Sequence, residues 1–272
     1  VGKIIAFANQ KGGVGKTTTA VNLAAFCAAM GKKVLIVDMD PQGNATSGIG
    51  IEKNSNLKTI YNVIDGDAFV HEVIVPTYIE NLDIIPATVD LAGAEIELVQ
   101  MTSREKIVKN ILGRIKNNYD FIFIDCPPSL GLLTVNALTA ADSIIIPIQC
   151  EFYALEGLSQ LMNTVRLIKH HLNPTLDIEG VVLTMKDNRS NLIAQVSQEI
   201  IKFFGKKVFE TAIPRNIRLA EAPSHGESIL TYDPSSKGAQ SYEQLAEEFL
   251  RRNKLAYKPI GKETKIRRNA NE

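Results

Sequence analysis

Lys11-Gly12-Gly13-Val14-Gly15-Lys16-Thr17-Thr18 follows a short apolar run and carries the residue types that hold a polyphosphate. Glycines lacking Cβ let successive backbone N–H groups turn inward on an anion, and a helix beginning near Lys16 adds the positive end of its dipole. In such a cradle Lys16 reaches the β- and γ-phosphates, and the Thr17 hydroxyl ligates Mg²⁺. The strict G-x-x-x-x-G-K-[ST] pattern is not met, because its first glycine falls on Gln10. Lys11 stands at the mouth of the cradle instead. A second cation there meets a phosphate only by folding back or by crossing to another subunit.

Two acids follow in the order that nucleotide chemistry needs. In Val37-Asp38-Met39-Asp40-Pro41-Gln42-Gly43-Asn44, two carboxylates leave a strand end, where open α/β sheets place their ligands. Asp40 is the candidate for orienting an attacking water. An ordinary aspartate titrates near ~3.9, so its work at neutral pH is positioning rather than full deprotonation. Phe121-Ile122-Phe123-Ile124-Asp125-Cys126-Pro127-Pro128 is an apolar run ending in an acid. A buried strand of this form delivers a carboxylate to the waters around Mg²⁺, which makes Asp125 the metal-side acid.

The elements that must position these groups show in the hydrophobic pattern. Strand-like runs at 4–8, 34–37, 82–85, 121–124, 143–148, 180–184 and 208–209 alternate with helical periodicity at 17–30, 103–117, 155–171, 192–204 and 239–252. That alternation predicts an α/β fold, a mostly parallel twisted sheet with helices on both faces. In the last helix Tyr242, Leu245, Ala246, Phe249 and Leu250 form one apolar stripe for docking on the sheet. With no internal repeat and no composition shift before about residue 252, one domain spanning 1–252 is expected. Residues 253–272 then form a basic tail expected to be disordered, since 251–268 holds eight basic residues against the single acid Glu263.

Composition narrows the function classes. Thirty basic residues balance thirty acidic ones, so any contact with nucleic acid rests on a local patch rather than a global field. Cys27, Cys126 and Cys150 are odd in number and lie in apolar surroundings, which fits reduced thiols acting as small hydrophobes. The four histidines show no zinc-ligand spacing with them. No apolar run approaches the ~18 residues of a membrane span and no secretory pattern opens the sequence, so a cytoplasmic location is expected.

With these motifs placed, the chain closely resembles the ParA/Soj family of chromosome- and plasmid-partitioning ATPases, P-loop NTPases of the deviant Walker A group that includes MinD. The resemblance extends to Ile85-Pro86-Ala87, Leu91-Ala92-Gly93-Ala94-Glu95, Cys126-Pro127-Pro128-Ser129-Leu130-Gly131, Gln149-Cys150-Glu151 with Ala154-Leu155-Glu156-Gly157, Leu183-Thr184-Met185, Ile213-Pro214-Arg215-Asn216 and Glu221-Ala222-Pro223-Ser224-His225-Gly226. It covers Lys3 to about Phe249.

The resemblance implies a single P-loop NTPase domain that uses ATP and Mg²⁺. Lys11 matches a signature lysine that crosses to the partner's nucleotide in an ATP-bound sandwich dimer. Gly12 matches a position where bulk blocks that approach, Lys16 and Thr17 match the triphosphate and Mg²⁺ contacts, and Asp40 matches the residue needed for hydrolysis. Pro214 and Asn216 lie where the family holds adenine. Arg189 and Arg218 match arginines that bind double-stranded DNA without sequence preference, and two per subunit become four on a dimer, where phosphate contacts add as released counterions.

The resemblance further implies nucleoid association, a ParB/Spo0J-like partner that stimulates slow hydrolysis and, in some members, action on the replication initiator. A membrane-directed relative of MinD would need a basic amphipathic C-terminal helix, and the tail here offers Ile260 and Ile266 without a stripe. A nitrogenase-type reductase would need a cysteine pair for a cluster between subunits, which Cys126 and Cys150 do not obviously provide. A nucleotide-binding regulator of replication or transcription that barely turns over is also compatible with the motifs. With no helix-turn-helix ahead of the phosphate loop, binding at a specific operator is not expected.

Overall fold

The computed structural model describes residues 2–151, 154–186 and 191–260. In chain order its elements are β1 (Lys3–Phe7), α1 (Lys16–Ala29), β2 (Val34–Asp38), α2 (Asn44–Gly48), α3 (Ile60–Asp65), β3 (Val75–Pro76) and β4 (Leu82–Ile85). Then come α4 (Leu91–Gln100), α5 (Ile107–Gly113), β5 (Phe121–Asp125), α6 (Leu132–Ala140), β6 (Ser143–Gln149), α7 (Ala154–His171) and β7 (Asp177–Thr184). The last four are α8 (Asn191–Phe204), α9 (Ile217–Glu221), α10 (Ile229–Tyr232) and α11 (Lys237–Arg252). The strands form one sheet in the order β3-β4-β2-β5-β1-β6-β7, parallel throughout except that β3 runs antiparallel to β4.

The strands read as nearly unbroken apolar runs because both faces of the sheet are covered. Ile4 and Ala6, Leu35 and Val37, and Ile122 and Ile124 point into one core, under α3 to α8. Their alternates Ile5 and Phe7, Val34 and Ile36, and Phe121 and Phe123 point into a second core with α1 and α11. α1 is buried along nearly its whole length, so its sequence is apolar all round rather than striped. The α11 stripe docks as expected, with Tyr242, Leu245, Ala246, Phe249 and Leu250 all buried.

This topology places the phosphate loop at a switch point. β1 lies between β5 and β6, and the chain leaves it first toward β2 on one side and later toward β6 and β7 on the other. The crevice opened by that reversal lies beyond the carboxyl ends of the strands. Register then puts the candidate residues together, since Phe7 and Asp38 both pair with Asp125.

Three expected elements differ. Residues 208–209 are not a strand. Val208 makes one isolated parallel bridge to Val181, after which the Glu210 and Thr211 N–H groups, each at 2.9 Å, donate to the Glu248 carboxylate of α11 rather than to β7. The 103–117 helix is broken into a 3₁₀ turn at Arg104–Lys106, α5, and a second 3₁₀ turn at Lys116–Asn118; Ser103 enters the first turn at φ 54° and α5 stops at Gly113. Residues 253–260 do not leave the fold at 252. The Lys258 N–H donates to the Met30 carbonyl at 3.2 Å, and Tyr257 and Ile260 pack against the α1–α11 core. The remainder of the basic tail, from 261, lies outside the described residues.

Candidate active site

The loop from β1 to α1 is shaped by two glycines in the left-handed region, Gly13 at φ 73° and Gly15 at φ 83°. A side chain is strained in that region, so glycine is the residue that fits. A β6 carbonyl, reached by the loop's own Asn9, and a β7 side chain fix the loop. Asn9 Nδ2 donates to the Pro147 carbonyl at 2.7 Å, Asn9 Oδ1 accepts from the Lys11 N–H at 3.1 Å, and Thr184 Oγ1 donates to the Val14 carbonyl at 2.8 Å. Gly12, Gly13, Gly15, Lys16, Thr17 and Thr18 line a cleft of about 510 Å³ together with Asp40, a size suited to a small-molecule ligand.

The two residues expected on the metal side are in contact. Thr17 Oγ1 donates to Asp125 Oδ2 at 2.7 Å, while Asp125 Oδ1 is buried with no hydrogen-bond partner. An orphaned carboxylate oxygen beside a hydroxyl is an all-oxygen donor set, and such sets suit Mg²⁺, which keeps waters and shares substrate phosphates. The residues therefore fit the ion. Burial holds the Asp125 carboxyl well above the usual carboxylate range, the nearby Asp38 pushes it further, and Thr17 and Lys16 oppose the rise. Burial in turn lowers the Lys16 ammonium, against the opposing pull of Asp125. Burial likewise raises the Cys126 thiol, so this cysteine is an inert hydrophobe rather than a nucleophile.

Asp38 is the residue that sequence reasoning left without a role. Its carboxylate is fully buried and organises the next loop. Oδ2 accepts from both the N–H and the hydroxyl of Thr46 at 2.8 and 2.7 Å, and Oδ1 accepts from the Asp40 N–H at 3.1 Å. Burial outweighs these bonds and the carboxyl is pushed up to about 6. Thr46 passes the order on by accepting from the Ala87 N–H at 2.9 Å. Asp40, 6% exposed, is thereby held in the cleft wall, with one oxygen accepting from the Gln42 N–H at 2.9 Å. The signal was legible: β2, like β5, is an apolar strand ending in an acid.

The second lysine behaves differently from the first. Lys16 Nζ lies inside the loop, 3.3 Å from the Lys11 carbonyl. Lys11 Nζ turns outward to the Glu151 carboxylate at 2.5 Å, and Lys11 is absent from the cleft lining. Gly12 sits at the open rim, where an added Cβ would meet only Pro128, at 4.0 Å.

The far end of the cleft is walled by Met185, Pro223, Ser224 and Glu227. Pro214 and Asn216 are not in that lining. Pro214 bridges Lys186, next to Met185, and Asn216 caps α9 by accepting from the Arg218 N–H at 2.8 Å. Arg218 is exposed and paired with Glu221 at 2.9 Å and Asp233 at 3.5 Å. Arg189 lies outside the described residues. Among the described residues no His/Cys/Asp/Glu group could hold a metal by itself, and no helix is long and apolar enough to cross a membrane.

Residues 2–178 match the family described as AAA domain. The chain is 63% identical over 248 residues to the sporulation initiation inhibitor protein Soj of Bacillus subtilis, covering 91% of this chain and 98% of that one. It belongs to the ParA/Soj family of chromosome-partitioning ATPases. Two solved structures extend the likeness to three dimensions. One is a cobyrinic acid a,c-diamide synthase from Mycobacterium smegmatis with an ATP analogue and magnesium, at 35% identity, TM-score 0.81, and 93% and 96% of the two chains. The other is a plasmid partition protein of Borrelia burgdorferi bound to AMPPNP, at 29% identity, TM-score 0.79, and 92% and 99% coverage. In this ParA/Soj chain the glycine-rich loop and Asp40 thus share one crevice, with Asp125 buried behind it against Thr17, whereas Pro214, Asn216 and Arg218 lie on the segment beside it.

Proposed function

We propose that this chain is a Mg²⁺-dependent ATPase whose ATP-bound dimer holds duplex DNA without sequence preference and releases it on slow hydrolysis stimulated by a ParB/Spo0J-like partner. The observation that carries the reading is the division of labour between two lysines on one loop. Lys16 is committed to the interior, whereas Lys11 projects from the rim beside Gly12, where a second subunit would approach.

The chemistry asked of the protein is placement. Backbone N–H groups of Gly13 to Thr18 and the Lys16 ammonium hold the triphosphate. Thr17 and Asp125 hold Mg²⁺, which supplies charge neutralisation at the phosphates when bound. Asp40, fixed through Asp38 and Gln42, orients the attacking water, and Lys11 of each subunit serves the other's nucleotide. Pro214 and Asn216 flank the base. Arg218 exchanges its contacts with Glu221 and Asp233 for DNA phosphates, and Arg189 adds a second cation per subunit. Nucleoid association follows from that DNA contact, and action on the replication initiator would use the same ATP-dependent dimer.

The test is to size the wild type and Asp40→Ala with Mg²⁺ and ATP, with ADP and without nucleotide, then to repeat with duplex DNA. Wild type should pair transiently with ATP alone, and Asp40→Ala should stay paired and retain DNA. An Asp40→Ala protein that remains monomeric in saturating ATP, or that turns ATP over normally, would refute the reading.

A further inference from the structure

We infer that Glu151 is a positioning residue for Lys11. It holds the ammonium on the chain's own surface until a phosphate is offered from across the dimer face, and so sets the ATP concentration at which two chains pair. The inference rests on the proposed function and adds a regulation of the same site.

The latch is built from the loops that follow two neighbouring strands, β1 and β6. The Lys11 main chain is fixed at both polar groups, its N–H donating to Asn9 Oδ1 and its carbonyl facing Lys16 Nζ. Only the side chain is free to choose a partner, and it runs toward the turn after β6. There Glu151 presents one carboxylate oxygen to Lys11 Nζ and the other to the Gln149 side-chain amide. The turn is itself closed, the Glu151 N–H donating to the Gln149 carbonyl and its carbonyl accepting from the Ala154 N–H, both at 2.9 Å. The carboxylate is thus oriented before the lysine arrives.

A consequence follows for nucleotide occupancy. In the lone chain Lys11 cannot bring its ammonium to its own triphosphate while this pair persists, so the filled cleft keeps a single interior lysine. Pairing must exchange one carboxylate contact for a phosphate contact in each subunit. The exchange is cheap, because the two side chains are 36% and 46% exposed, and a pair so solvated shifts an equilibrium by about two- to fivefold. Such a latch tunes a threshold without blocking the switch.

The experiment compares wild type, Glu151→Gln and Glu151→Asp as full chains. First, nucleotide-free protein is treated with a small acylating reagent and Lys11 modification is followed by peptide mass spectrometry, with exposed Lys33 as the internal reference. Lys11 should react about two- to fivefold faster in Glu151→Gln, with Glu151→Asp restoring most of the protection. Equal rates in wild type and Glu151→Gln would overturn the inference. Second, the ATP concentration for half-maximal pairing should fall in Glu151→Gln by a similar factor; an unchanged or higher threshold, with Lys11 deprotected, would overturn the regulatory part. If wild type fails to pair in ATP at all, the proposed function falls, and the labelling comparison still decides whether Glu151 positions Lys11.

Discussion

Asp125→Asn should make the nucleotide-free protein more stable while removing the response to Mg²⁺ and ATP. Asp38 and Asp125 are both fully buried, burial is the first cause of each raised carboxyl, and Asp38 raises Asp125 further. The Asp38 carboxyl sits at about 6 against an ordinary 3.8, a rise of roughly two units. At 1.36 kcal/mol per unit, ionising it at neutral pH costs the fold about 3 kcal/mol, chiefly through burial, and this sets the scale for one buried acid of the pair. In Asp125→Asn the carbonyl oxygen still accepts from Thr17, and the new amide can donate toward Asp38. Allowing for imperfect pairing of that amide, about 1–3 kcal/mol returns, or roughly 2–10 °C in Tm for a domain of this size. The sign in pH follows. A folded pKa above the unfolded value means stability that is full below about pH 4 and declines as pH rises through about 6. The advantage of Asp125→Asn should therefore be small near pH 4 and large near pH 7.5. Thermal unfolding in EDTA at both values reads it. Adding Mg²⁺ and ATP at about a hundredfold over Kd should stabilise wild type by roughly 2.7 kcal/mol and the variant by much less. An Asp125→Asn protein that melts at or below the wild type at neutral pH without nucleotide would show that the paired acids are not under strain.

Gly12→Val separates folding from pairing. The added side chain points to open space past Pro128, so Tm should move by less than about 2 °C and ATP should still bind, while sizing shows the ATP-dependent pair lost; a variant that pairs normally removes the rim from the dimer face. Glu179 tests the acid limb. Burial raises its carboxyl, but bonds from Lys3, Ser143 and Asn253 outweigh this and leave it below the ordinary value. Its stabilisation is therefore full above about pH 4.3 and is lost as pH falls through the folded pKa. Glu179→Gln should lower Tm at neutral pH and flatten the decline between about pH 5 and 3; an unchanged acid limb on a pH series of melts would contradict this.

The sequence was most informative where one local pattern decides the conformation. The phosphate loop was legible because Gly13 and Gly15 must take positive φ and Lys16 must open a helix. The central strands were legible because burial on both faces leaves unbroken apolar runs. α6 was missed because it is apolar on every side and carries no stripe, and α4 because Ile96 and Val99 lie exposed beside its buried positions. The 208–209 segment has strand composition, and the Phe209 N–H does donate to Val181 of β7, but the next N–H groups, of Glu210 and Thr211, are claimed by Glu248 nearly forty residues on, which no local window contains.

Asp38 and Glu151 show the same limit within the site. Both are identifiable as acids at strand ends, but their work depends on what register and topology bring beside them. Asp38 matters because β2 and β5 pair in a register that sets it against Asp125. Glu151 matters because β6, though late in sequence, is the spatial neighbour of β1 and delivers a carboxylate to Lys11, 140 positions earlier in the chain. The residues proposed to perform the chemistry are thus written in contiguous motifs, whereas those proposed to govern when it happens are written in strand order.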